Sequence, residues 1–190
     1  QPLLISTSSI ALQGAIIHDY LPFLSKVMMA DGMLDSPLRA VLRKGKSHYV
    51  CDARLMKRLQ TANLDRKNPL AKAALLSMRD HLDLDMAPHL SGYDRERICV
   101  PPTCDCGKTE CRYLCYLDVC ASERYAIQVC NHNLLLADAI HQGSGKRPIL
   151  PDSCAIVMDE AHKLPETARQ MFGITLAAGE LHTPVSYTHL

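Results

Sequence analysis

The stretch AIVMDEAH, residues 155–162, constrains the fold of this 190-residue chain more than any other. Its apolar run, begun by Cys154, shows no polar alternation and reads as a strand buried on both faces. Such a strand belongs in a parallel sheet, whose neighbours must be joined by long crossovers, usually helical. Asp159 and Glu160 follow at once, with His162 close behind. In open parallel sheets ligands bind beyond the carboxyl ends of the strands. Two adjacent carboxylates there can divide the work of nucleotide hydrolysis. One holds Mg²⁺ and its neighbour polarises the attacking water.

The rest of the chain supplies the alternation this demands. Leu3-Leu4-Ile5-Ser6 is a short apolar run closing in Thr7-Ser8-Ser9, a strand followed by a turn or helix cap. Leu12, Ile16, Tyr20, Leu24, Val27 and Met28 fall at helical spacing over residues 10–29, with Pro22 breaking the helix or opening a second one. Residues 38–42 read as a short helix ended by Gly45, and residues 47–51 as a strand. Residues 54–64 and 70–86 read as helices. Periodicity then fades among the prolines, glycines and cysteines of residues 87–120. It resumes with a strand over 125–130, a helix over 134–140 and the strand before Asp159.

Cysteine placement marks the interruption as a unit. Six of nine cysteines lie in CVPPTCDCGKTECRYLCYLDVC, residues 99–120. An odd count without an export signal argues against a disulfide scaffold and leaves two readings, thiolates that hold a metal in a reducing compartment or free thiols that happen to crowd. Spacing alone does not separate zinc from iron–sulfur. Cys115 and Cys120 fall at helical spacing, and Cys130 and Cys154 lie in strands as core residues. A formal charge of +1 gives no global attraction to nucleic acid or membrane, and no apolar run is long enough to span a bilayer. The local exception is residues 39–58, where seven basic residues (Arg39, Arg43, Lys44, Lys46, Arg54, Lys57 and Arg58) face one acid, Asp52. Tyr49 and Tyr93 are candidate base-stacking rings.

The DEAH strand resembles motif II of superfamily 2 helicases. Three further segments narrow the resemblance to the iron–sulfur group, the DinG-like relatives of the xeroderma pigmentosum group D helicase. Leu4-Ile5-Ser6-Thr7 with Ala11-Leu12-Gln13 is similar to motif Ia. Gly45-Lys46-Ser47-His48-Tyr49-Val50-Cys51 is similar to the G-x-x-x-Y-x-C approach to the cluster, and Val129 to Leu135 to the V-x-N-H-x-L-L segment before motif II. These motifs, in the family's order, cover nearly the whole chain.

The resemblance implies an α/β fold, part of a RecA-like motor domain with a parallel sheet and flanking helices, interrupted by an inserted Cys-rich iron–sulfur subdomain. Residues 1–44 and 121–183 would be motor parts and 45–120 the inserted domain. Residues 184–190, which resemble translated sequencing-adapter read-through, receive no function. Asp159 would hold Mg²⁺, Glu160 would activate water, and His162 would couple nucleotide state to a second motor domain. A 4Fe-4S cluster would take Cys51, Cys104, Cys111 and either Cys106 or Cys99. Thr7, Gln13, Lys44, Lys46 and Arg54 would face single-stranded DNA.

The implied whole is a monomeric, cytoplasmic, ATP-dependent DNA helicase of a bacterial cytosol or nucleoid. It would move 5′ to 3′ on single-stranded DNA, meet duplex junctions and need no membrane. Gly143-Ser144-Gly145-Lys146 is not a phosphate loop, because Ile140 and Arg147 stand where that motif needs Gly and Ser or Thr. That loop is expected upstream of residue 1, so these 190 residues alone are expected not to hydrolyse ATP. A different class of reading is a non-enzymatic zinc–cysteine module that binds nucleic acid or protein.

Overall fold

A computed structural model describes residues 1–61, 69–104, 111–122 and 124–173. Its frame is a parallel sheet of β1 (Leu3–Ser6), β2 (Ala40–Leu42), β3 (Ile127–Cys130) and β4 (Ala155–Met158), in the order β2-β3-β1-β4. Ser6 lies in register with Cys130 on one side and Met158 on the other. The carboxyl ends of β1, β3 and β4 therefore finish level.

Strand alternation decides what each face buries. On one face Ile127 and Val129, with Leu3 and Ile5, pack on Leu12, Ile16 and Leu21. Those residues come from α1 (Ile10–Ala15), a π-helical turn (Ile16–Tyr20) and α2 (Leu21–Ala30). Pro22 opens α2 in its first turn, where a missing N–H costs nothing. On the other face Leu4 and Cys130 pack on Leu134 and Leu150, with α7 (His132–Gly143) as the cover. Gln128 is fully buried there and is hydrogen-bonded to Arg43 and to the Cys120 carbonyl.

Between β2 and β3 the chain builds a helical lobe with its own core. α3 (Asp52–Thr61), α4 (Pro69–Ser77) and α5 (Gly92–Ile98) bring Leu55, Leu75 and Ile98 together out of contact with water, joined by Met78 just past α4 and by Leu84 of a 3-10 turn (Leu84–Met86). Each such side chain contributes about 1.5–3 kcal/mol of transfer free energy. α6 (Arg112–Ala121) adds Tyr113 and Tyr116 against buried Tyr49, with the Tyr116 hydroxyl donating to the Leu42 carbonyl at 3.0 Å. α8 (Leu164–Phe172) follows β4 through a 3-10 turn (Ala161–Lys163).

Several local expectations change. Residues 38–42 hold a strand instead of a helix, because Ala40–Leu42 finds β3 as a parallel partner. Residues 47–51 form a 3-10 turn (Lys46–His48) and two isolated antiparallel bridges, Tyr49 to Asp83 and Val50 to Cys99. The helix expected over 70–86 ends at Ser77, and a 3-10 turn capped by Asp83 follows. α5 and α6 occupy the stretch read as aperiodic. α5 was hidden because polar Asp94, held by Arg58 at 2.6 Å, is one of its two buried residues.

The strand read as buried on both faces is exposed along its length among the described residues, with Ile156 and Val157 each 47% accessible. It pairs with β1 on one side and has no second strand partner there. Cys154 is exposed with it and is not a core residue. Cys106 and the tail 184–190 lie outside the described residues.

Candidate functional site

The loops after β1, β3 and β4 converge because their strands end in register. Main-chain bonds continue the ladder one step past β1 and β4: Thr7 donates to the Cys130 carbonyl at 3.1 Å and Asp159 to the Ser6 carbonyl at 2.9 Å. Side chains then cross-link the loops. Thr7 Oγ1 donates to Asp159 Oδ2 at 2.9 Å, and Ser8 Oγ to Glu160 Oε2 at 2.5 Å. Ser6 Oγ and His132 Nδ1 share a bond of 2.7 Å, while His132 Nε2 is buried with no hydrogen-bond partner among the described residues.

Glu160 takes a left-handed backbone, φ 48° and ψ 44°, and has the only positive φ of a non-glycine residue among those described. That turn points its carboxylate back toward the β1 loop. Lys163 Nζ donates to the same Oε2 at 2.7 Å. The bonds from Lys163 and then Ser8 hold the Glu160 carboxyl below its ordinary range. His162 is exposed on the 3-10 turn beside them.

Thr7 and Gln13, read as DNA contacts, are both buried. Gln13 Nε2 donates to the Thr7 carbonyl at 3.3 Å. Thr7 Oγ1 also accepts from the Ser9 amide, and Ser9 caps α1 by accepting from Leu12 N. These residues shape the loop from beneath. Ser6, Ser8, His132 and Lys163 are the site members the sequence did not single out. For the serines the linear signal was a run of hydroxyl residues closing a strand, which reads equally well as a helix cap, while His132 stood in the V-x-N-H-x-L-L segment without a role of its own.

The basic run is largely committed to the protein. Lys44 Nζ meets Asp83 at 2.6 Å and Asp85 at 2.8 Å, Arg54 donates to the Cys99 carbonyl at 2.8 Å, and Lys46 donates to the Pro102 carbonyl. Burial alone would raise the Asp85 pKa, yet Lys44 and Arg95 outweigh it and hold the group at about 2. Arg43 is buried against Gln128 and the Ile149 carbonyl. Arg39 and Lys57 are exposed and carry no ion pair among the described residues. Tyr49 is buried and offers no face to a base, whereas Tyr93 is exposed beneath the Arg58 and Arg97 guanidinium groups.

Three of the proposed cluster thiols sit on segments bonded to one another. Cys51 N donates to the Ile98 carbonyl at 2.7 Å, next to Cys99. Arg112 Nε donates to Asp52 Oδ1 at 2.8 Å and so ties α6, capped by Cys111, to the residue after Cys51. Cys104 is exposed. No group of three side chains suited to a metal forms among the described residues. The donor chemistry suits a thiolate-bound metal, with residues 105–110 outside the description. Burial pushes the Cys130 thiol up to about 11 and raises that of Cys120, as suits core thiols.

A cleft of about 660 Å³ lies between α6 and α7, lined by Arg43, Leu117, Leu134 and Arg147 among others. It takes no residue from the loops after β1, β3 and β4, and its wall from Arg147 to Asp152 belongs to the segment that leads from α7 into β4.

Against known proteins the chain is similar to two named as DNA helicases and one named as an exonuclease. It is 29% identical over 188 residues to the ATP-dependent DNA helicase YoaA of Escherichia coli (strain K12), covering 94% of this chain and 29% of that protein. By sequence it is a distant relative of DNA helicases. The Haemophilus influenzae protein of the same name is 27% identical over 196 residues, covering 94% of this chain and 28% of that one. The 3'-5' exonuclease DinG of Bacillus subtilis (strain 168) is 27% identical over 201 residues, 98% of this chain and 20% of that protein. The chain thus spans less than a third of the length of these relatives. No protein-family model matches it. The mixed α/β fold, with its small parallel sheet and flanking helices, is broadly RecA-like. No helix among the described residues is long and apolar enough to cross a membrane.

Proposed function

We propose that this chain is part of a DinG-like, ATP-dependent DNA helicase. The observation that carries the reading is the pair Asp159 and Glu160 at the carboxyl end of β4, cross-linked to the β1 loop by Thr7 and Ser8. A zinc–cysteine binding module gives no reason for two carboxylates to be tied to a neighbouring strand's loop in this way. A helicase motor does, because nucleotide chemistry and the DNA strand must sense each other across such a loop.

In this reading Asp159 holds Mg²⁺, its carboxylate oriented by Thr7. The ion would neutralise charge on the transferred phosphoryl group. Glu160 accepts the proton of the attacking water, a role that requires a free carboxylate oxygen facing that water. His162, exposed beside them, relays nucleotide state to a second motor domain. Residues 45–120 form the inserted domain between motor parts 1–44 and 121–183. Cys51, Cys104 and Cys111, with Cys106 or Cys99, hold a 4Fe-4S cluster, whose thiolates would staple the lobe around α3 and α6.

Single-stranded DNA runs over the β1 loop and the lobe, its phosphates met by exposed cations such as Lys46, Arg39 and Lys57. Translocation runs 5′ to 3′, in a monomer of the bacterial cytosol. The test uses the intact protein that contains this chain, purified without oxygen. It is expected to carry about four iron atoms per chain and to open a forked duplex only with ATP. Stoichiometric zinc without iron, and no ATP-dependent opening, would move the assignment to the binding module.

A further inference from the structure

Ser8 occupies an unusual place in the converging loops. Thr7, before it, is fixed by its amide on Cys130, its hydroxyl on Asp159 and its carbonyl under Gln13. Ser9, after it, is fixed as the cap of α1. Ser8 itself has no main-chain hydrogen bond among the described residues, and its anchor is the bond from Oγ to Glu160 Oε2. A turn of its side chain from one staggered well to another would break that bond and move neither Thr7 nor Asp159. The second tether on Oε2, from Lys163, joins two substantially exposed groups and is the weaker one through solvent screening.

We propose that Ser8 is a positioning residue that holds Glu160 back in the resting protein, and that a DNA strand on the β1 loop releases it. This rests on the helicase reading above and adds to it a route from DNA to the water-activating carboxylate. While Oε2 accepts from both Ser8 and Lys163, the carboxylate stays turned toward the β1 loop. A strand that draws the Ser8 hydroxyl away leaves Asp159 in place and frees Glu160 to face the water. DNA would thus raise turnover without rebuilding the metal-binding end of the site.

The test compares the intact wild-type protein with Ser8→Ala and Ser8→Thr. Turnover without DNA is expected to rise about tenfold or more in Ser8→Ala, the scale of one hydrogen bond to a charged group, with KM for ATP little changed. The ratio of DNA-stimulated to basal turnover falls accordingly, and Ser8→Thr, which keeps a hydroxyl, restores the low basal rate. Nucleotide-free Ser8→Ala should bind a labelled single strand no more than about twofold more weakly than wild type. Basal turnover unchanged or lowered in Ser8→Ala, or DNA binding weakened about tenfold, would overturn the latch while leaving the helicase reading intact. Absence of DNA-stimulated turnover in the wild type would overturn both.

Discussion

Arg43 stands in the middle of the basic run, yet it is among the most buried residues of the chain. Its guanidinium donates to Gln128 Oε1 and to the Ile149 carbonyl, both at 2.8 Å, and so links β3 to the segment leading into β4. Removing it would leave the buried Gln128 amide oxygen and the part-buried Ile149 carbonyl without these donors. Arg43→Met is expected to destabilise the protein by about 2–3 kcal/mol, read as a lowered urea midpoint at constant slope. A loss below about 0.5 kcal/mol would mean that Gln128 finds another donor. A count of cations in the sequence therefore overstates what the surface can offer to phosphate. The lysines and arginines before α3 serve the fold first, and only the exposed ones remain for a ligand.

At the scale of elements, Asp85 shows how the lobe is tied to the strand that leads into it. Lys44, His48 and Arg95 surround this one carboxylate. Its depressed pKa sets the sign of a pH effect. The carboxylate's contribution is complete above the unfolded value near 3.8 and is lost as pH falls through about 2. Asp85→Asn should cost no more than about 1 kcal/mol at pH 6, because the group is well exposed, and its cost should shrink toward pH 2.5. An equal cost at both pH values would show that packing, and not charge, is at work. The sheet that this lobe interrupts was legible in three of its four strands, since β1 and β4 end apolar runs and β3 is one broken only by Gln128. β2 was not, because Leu38 and Leu42 fall at helical spacing and the pairing that makes a strand lies with β3, far along the chain. α5 escaped for a related reason: an ion pair to α3 replaces its apolar stripe. Asp159 and Glu160 were visible from their place after a strand. Their partners Thr7 and Ser8 were not, because each contact spans 152 positions and depends on strand register.

Taken whole, the molecule sets a parallel sheet beside a helical lobe and gathers its polar chemistry where three strands end level. Asp159 and Glu160 lie just past the carboxyl end of β4, the place where open parallel sheets bind ligands. The account stands on Glu160 as the group that activates water. The decisive measurement is ATP turnover by the intact protein with and without single-stranded DNA, for wild type and Glu160→Gln. Glu160→Gln is expected to lower the DNA-stimulated rate about 100-fold or more while single-strand binding stays within about twofold. Turnover by Glu160→Gln within about tenfold of wild type would contradict the account.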